Sequence, residues 1–204
     1  MKLTEVSANP AIIDIEIPEL ESFDFDSYFK LAASRSEYGD LVVAQGRETI
    51  THDHSLHTKL VKIMADHIFN ITKNLISIDK TRYPLFRYKN FEEFYEKDIL
   101  QRGRIGILGT IDYKDWNQPW HLDNRFIMVS GSINIQDNET STYFSKENFH
   151  WPNGGTSFDH CDLIYKGRNT KFTGTAWLNT EHTWHCVPRI TEDQRKTILF
   201  NVFL

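Results

Sequence analysis

Residues 182–204 read HTWHCVPRITEDQRKTILFNVFL. Two β-rich runs lie here, His182–Val187 and Arg195–Leu204, separated by a stretch that opens with Pro188. β-Branched and aromatic residues bounded by turn formers are the mark of short paired strands. Three polar side chains keep a telling spacing within them. Arg195 follows His185 by ten residues, and Thr197 follows two further on. Residues two apart on a strand point to one face, so Arg195 and Thr197 present a guanidinium and a hydroxyl side by side.

Moving toward the N-terminus, the same grammar repeats. Short strand-like runs occupy 104–112 (RIGILGTID), 126–136 (FIMVSGSINIQ), 140–145 (TSTYFS) and 171–179 (KFTGTAWLN). Asp137-Asn138 and Pro152-Asn153-Gly154-Gly155 punctuate them as turns. The stretch 146–168 reads as an irregular insertion. AIIDIEI (11–17) and LVVAQG (41–46) add two candidate strands. Before residue 103 the period changes. Leu56, Leu60, Ile63, Met64, Ile68, Ile71 and Leu75 recur at three- and four-residue spacing, which predicts a helix over 53–75 with Thr51 or Asp53 as its cap. A second helix is expected over 90–101 and a weaker one over 26–34. Helices first and many short strands afterwards predict a mainly β fold with flanking helices, a double-stranded β-helix or jelly roll. The chain is expected to be one domain. Residues 1–103 supply N-terminal strands and supporting helices, and 104–204 the jelly-roll core that carries the site.

The most specific chemistry lies in Trp120-His121-Leu122-Asp123. On an extended segment the imidazole of His121 and the carboxylate of Asp123 share one face. His185 is the best third ligand. Two histidines and one carboxylate on one face of an octahedron leave three positions open, the facial triad of non-haem Fe(II) oxygenases. Arg195 suits the distal carboxylate of a chelating co-substrate, because a guanidinium binds carboxylate bidentately. Thr197 is placed to add a hydroxyl to the same group.

In these residues the sequence resembles the Fe(II)/2-oxoglutarate-dependent oxygenases, and in HCVPRITEDQRKTILFNVF their small prolyl-hydroxylase-like members. The resemblance covers roughly 104–204. It implies that His121, Asp123 and His185 hold Fe(II), and that Arg195 and Thr197 hold the far carboxylate of 2-oxoglutarate. Asn134 and, less strongly, Tyr113 are implied as further contacts to that co-substrate. Dioxygen completes the reactants, and succinate and carbon dioxide leave. Halogenases of this superfamily carry a small residue where Asp123 stands, so the resemblance implies hydroxylation. The substrate is expected to be a protein side chain or a small amino-acid-like molecule. Two other readings stay open: a cupin-like metal enzyme that does not use 2-oxoglutarate, and a non-catalytic jelly-roll binding module.

Other candidates carry less. His182 competes with His185 for the distal position but lies three residues away, on the opposite strand face. His52, Asp53, His54 and His57 cluster at a helix start and read as a solvated first turn. His150 and His160 read as surface groups of the insertion. Trp120 and Trp184 precede ligands and are expected to pack behind them. Trp116 and Trp151, in loops, and Arg125, just past Asp123, are candidate substrate contacts. Hydrophobic residues make up 40% of the 204 and charged residues 25%, which is ordinary for a folded globule. The net charge of −5 disfavours nucleic acid as a partner. Two cysteines, Cys161 and Cys186, make no disulfide framework, and no apolar run has membrane-spanning length. The N-terminus does not read as a signal peptide. A cytoplasmic protein without a membrane partner is therefore expected.

Overall fold

A computed structural model describes residues 1–35, 47–50, 55–79, 93, 105–145 and 163–203. In chain order these form β1 (Lys2–Ala8), β2 (Ala11–Glu16), a 3-10 turn (Pro18–Ser22), α1 (Phe25–Arg35), β3 (Arg47–Ile50) and α2 (Ser55–Ile78). β4 (Ile105–Tyr113), β5 (Gln118–His121), β6 (Ile127–Asn134), β7 (Tyr143–Ser145) and β8 (Leu163–Lys166) follow. β9 (Thr173–Leu178), β10 (Trp184–Val187) and β11 (Gln194–Phe203) complete the described chain. The strands pair antiparallel in two sheets. The larger has the order β1-β2-β9-β6-β11-β4-β3 and the smaller β5-β10-β7-β8. The expected mainly β jelly roll with flanking helices is what the molecule shows.

The larger sheet has two different faces, and the difference places the site. Partners in register across antiparallel strands share a face. On one face lie Ile13, Ile15, Val129, Ile133, Ala176, Ile198, Phe200 and Val202, all buried. Leu60, Met64, Ile68, Ile71 and Leu75 of α2 and Tyr28 and Phe29 of α1 join the same core. Burying each large aliphatic or aromatic side chain contributes about 1.5–3 kcal/mol, and this face holds the sheet to the helices. The opposite face is polar. Arg195 pairs with Asp112, Thr197 with Thr110 and Asn134, Asn201 with Ser130, and Ser132 with Thr175. These groups are also buried or half-buried, because the smaller sheet covers them.

Few apolar groups join the two sheets on that side. Ile12, Phe144 and Trp177 form a small cluster. Beside it the Tyr165 hydroxyl donates to Asp14 at 2.6 Å, and Arg168 Nε donates to the same carboxylate at 2.7 Å. The space between the sheets is therefore bordered by many hydrogen-bonding groups, the environment that a charged reactant needs.

Most expected elements are present, and some differ. The helix expected over 53–75 is α2, and that expected over 26–34 is α1. Part of the stretch read as an irregular insertion is a strand: β8 pairs with β7 through Tyr143 and Lys166. β1 and β3 are additional edge strands of the larger sheet. His57 is buried rather than solvated. Its Nδ1 lies 3.1 Å from the Tyr28 hydroxyl, and the two rings stack. His52, Asp53, His54, LVVAQG at 41–46, nearly all of 90–101, His150, Trp151, His160 and Cys161 lie outside the described residues. Among the described residues no helix is long and apolar enough to cross a membrane.

Candidate metal centre and co-substrate pocket

His121 ends β5, Asp123 follows in the loop, and His185 lies in β10. Because β5 and β10 pair with His121 opposite His185, the two imidazoles are brought side by side, with ring centroids 4.2 Å apart. One ligand atom from each of His121, Asp123 and His185 lies within 4.8 Å of the others. Asp123 Oδ1 is 3.6 Å from His185 Nε2 and 4.0 Å from His121 Nε2. His182, the competitor for the distal position, instead sits exposed, 3.4 Å from Glu181.

The surroundings orient these three groups. His121 Nδ1 lies 2.9 Å from the Pro119 carbonyl, and His185 Nδ1 lies 3.1 Å from the Thr183 carbonyl. A carbonyl only accepts, so each Nδ1 carries a proton and each Nε2 is turned toward Asp123. Asp123 is fixed in a complementary way. Its Oδ2 accepts from the Ser130 hydroxyl at 2.5 Å and from Trp177 Nε1 at 3.2 Å, while Oδ1 faces the histidines. Burial pushes this carboxyl up, but the hydrogen bond and charge of His185, with the Ser130 hydroxyl and His121, outweigh it and hold it at about 2. The carboxylate is thus ionised at neutral pH. Ordering of ligands by carbonyls, a hydroxyl and an indole is the outer support expected of a metal site.

The donor set fits a divalent first-row metal such as Fe(II): the Nε2 atoms of two imidazoles and one carboxylate oxygen converge on one point. One group stands in the way. The Gln118 side-chain amide lies 3.1 Å from His121 Nε2 and donates to the lone pair that a metal would take.

A cavity of about 170 Å³ opens beside the triad. Its lining includes Gln118, Ser132, Thr142, Arg195, Leu199 and Asn201. An engineered cavity of about 150 Å³ holds benzene, so a small organic acid fits. Arg195 reaches this space from β11 and is almost wholly buried. Its NH1 donates to Asp112 Oδ2 at 2.8 Å. Its Nε is buried and has no hydrogen-bond partner among the described residues.

The other expected contacts fall elsewhere. Thr197 is buried one inward position beyond Arg195, where its hydroxyl lies 2.7 Å from that of Thr110. Asn134 is on the inner face, but both protons of its amide go to the carbonyls of Arg168 and Thr173. Its Oδ1 accepts from Asn138. It fastens the loops at the end of the sheet and does not line the cavity. Tyr113 packs against the helix-side core. The register that sets Arg195 opposite Asp112 gives the inward position to Asp112 instead. Arg125 is exposed, with its guanidinium 5.0 Å from the Phe126 ring centroid. Trp116 is half-buried in the loop after β4, and neither it nor Arg125 lines the cavity. Trp120 and Trp184 are half-buried and point away from the cavity, as alternation predicts. Sequence reasoning missed Ser130, Trp177, Gln118 and Asp112. Only the alternation of Ser130, Ser132 and Asn134 with Val129, Gly131 and Ile133 hinted at a polar inner face.

No protein-family model matches the chain, and no curated protein does so by sequence. Solved structures match its fold. A Pseudomonas putida prolyl-4-hydroxylase superposes with a TM-score of 0.53 at 10% identity, covering 95% of this chain and 92% of that one. The viral collagen prolyl hydroxylase of Paramecium bursaria Chlorella virus-1, solved as a 2-oxoglutarate complex, gives 0.51 at 9% identity, covering 94% of both chains. A Trichoplax adhaerens prolyl hydroxylase, bound to a hypoxia-inducible-factor peptide fragment, gives 0.51 at 13% identity and covers 97% and 87%. The chain therefore has a 2-oxoglutarate-oxygenase-like fold.

Proposed function

We propose that this protein is an Fe(II)- and 2-oxoglutarate-dependent oxygenase that hydroxylates a protein side chain or a small amino-acid-like substrate. The observation that carries the reading is the convergence of His121 Nε2, His185 Nε2 and Asp123 Oδ1, each turned by a partner on its other side, at the mouth of a polar cavity reached by Arg195. The likeness in fold to prolyl hydroxylases supports it.

In this reading His121, Asp123 and His185 hold the metal. Iron bound there supplies the means to activate dioxygen and to oxidise a C–H bond while 2-oxoglutarate becomes succinate and carbon dioxide. The chain's own residues do the rest. Ser130 and Trp177 keep Asp123 aimed. Arg195 faces the distal end of the oxo acid, and the Thr110–Thr197 hydroxyl pair lies beyond it. The covering sheet buries His185 and Arg195, which strengthens charge interactions at those two groups. Residues 104–204 carry the site, and in the first half α1 and α2 back the larger sheet while β1, β2 and β3 extend it, as one domain.

The test is Fe(II)-dependent formation of succinate from 2-oxoglutarate, followed by NMR, with proline-containing peptides and free amino acids as candidate substrates. Succinate formation that is stimulated by one of these and lost in His185→Ala is expected. A metal-loaded protein that never consumes 2-oxoglutarate would move the reading to a cupin-like enzyme.

A further inference from the structure

Two carboxamides line the cavity from different sheets. Gln118 stands on β5 of the smaller sheet and Asn201 on β11 of the larger. Asn201 ends the inward row Arg195, Thr197, Leu199, Asn201 and pairs in register with Ser130, the residue whose hydroxyl holds Asp123. An oxo acid reaching toward Arg195 therefore leaves Asn201 and Gln118 to another molecule.

The hydrogen bonding of these two sets them apart. The carboxamides that fasten the fold are spent on protein groups. Asn134 gives both protons to carbonyls and accepts from Asn138, and Asn179 donates to the carbonyls of Asp123, Asn124 and Ile127. Among the described residues the Gln118 side chain has a single hydrogen-bond partner, His121 Nε2 at 3.1 Å, and the Asn201 side chain has a single one, Ser130 Oγ at 2.9 Å. A carboxamide carries two donor protons and an acceptor oxygen with two lone pairs, so each keeps most of its capacity for the cavity. A metal on His121 Nε2 takes the place of the Gln118 amide and frees that side chain altogether. Both side chains are half-buried and neither is charged. A substrate that is apolar at this point would strip water from both and return no hydrogen bond, which is costly. An amide returns a donor and an acceptor together.

We infer that Gln118 and Asn201 form a subsite that holds an amide group of the substrate beside the metal. A trans peptide group directs its C=O and N–H to opposite sides, so it meets one carboxamide from each sheet. A primary amide presents both groups on one side and pairs with one of them. The shared chemistry is the amide, from a polypeptide backbone or from a side chain. This inference rests on the oxygenase reading of the site.

The experiment measures binding rather than turnover. Protein loaded with Zn(II), a redox-inert stand-in, is first checked for binding of 2-oxoglutarate by calorimetry. It is then titrated with N-methylpropanamide, propanamide and methyl propanoate by ligand-observed NMR. The ester keeps the carbonyl and lacks the N–H. The natural chain should bind at least one amide about five-fold more tightly than the ester, the size expected of a neutral hydrogen bond. A backbone source predicts that N-methylpropanamide is preferred and that Gln118→Met and Asn201→Leu each bring the ratio to about two-fold or less. A side-chain source predicts that propanamide is preferred and that only one of the two variants does so. An ester bound within two-fold of both amides overturns the inference, and so does an amide preference that survives in both variants. If a variant does not fold, the comparison in the natural chain decides alone. Failure to bind Zn(II) or 2-oxoglutarate defeats the oxygenase reading, and this inference with it; indifference to amides in protein that binds both defeats the inference only.

Discussion

Removing the two donors to Asp123 Oδ2 should weaken metal binding without removing any ligand. Ser130→Ala deletes the hydroxyl at 2.5 Å, and Trp177→Phe deletes the indole N–H at 3.2 Å. Phenylalanine keeps an aromatic ring against His185, whose centroid lies 4.7 Å from that of Trp177. A hydrogen bond to a charged group contributes roughly 1.5–3 kcal/mol. The hydroxyl proton of Ser130 is single, and the 2.5 Å contact to Asp123 is shorter than the 2.9 Å contact to Asn201. Ser130→Ala should therefore have the larger effect. Loss of outer support of this kind weakens metal sites by about ten- to a hundred-fold, so Ser130→Ala is placed near the upper figure and Trp177→Phe near the lower. Both donors serve one oxygen, so the double variant should lose less than the product of the single effects. Mn(II) titration by calorimetry reads the affinity, and circular dichroism melts check the fold. If both variants keep the parent affinity within about two-fold, the carboxylate is not oriented for a metal, and the reasoning fails.

Three further predictions concern other parts of the molecule. Gln118→Ala should bind Mn(II) as tightly as the parent or up to about ten-fold more tightly, because the amide no longer competes for His121 Nε2; a ten-fold loss in calorimetry would make Gln118 a ligand. Gly174→Ala should destabilise more than Gly131→Ala in urea unfolding. The new Cβ at 174 would lie 2.0 Å from the backbone oxygen of Ser132, whereas at 131 it meets the Phe200 ring at 2.1 Å, which Phe200→Leu can relieve. Glu192 reports on acid stability. Burial raises its carboxyl, but the N–H of its own backbone and the N–H and hydroxyl of Thr140 bring it below its usual 4.5. A depressed folded value stabilises the protein above about pH 4.5 and loses that contribution as the pH falls further. Glu192→Gln should flatten the stability decline below that pH, and an unchanged acid limb would contradict it.

What the sequence made legible was local. The three- and four-residue spacing from Leu56 to Leu75 gave α2, since one helix face must meet the core. His121 and Asp123 were readable because they are neighbours, and His185 and Arg195 because they flank one turn. What it hid was set by pairing between distant strands. Tyr113 and Asp112 are adjacent, and only the register of β4 against β11 decides which of them faces Arg195. Asn134 has the inward parity expected of a co-substrate contact, yet at the end of its strand it meets the loops around Asn138 and Thr173. Ser130 lies opposite Trp177 in β9, forty-seven positions along the chain, and that cross-strand pairing brings both donors to Asp123. β8, at four residues, is too short to show a period.

The most direct test is anaerobic titration of the metal-free protein with Fe(II) and then 2-oxoglutarate, followed by visible absorbance. An oxo acid chelating iron on an open facial triad gives a weak visible charge-transfer band. That band should appear only when both are present and should be absent from Asp123→Ala. Iron bound without the band would contradict a 2-oxoglutarate site, and no iron bound at all would contradict the metal centre formed by His121, Asp123 and His185.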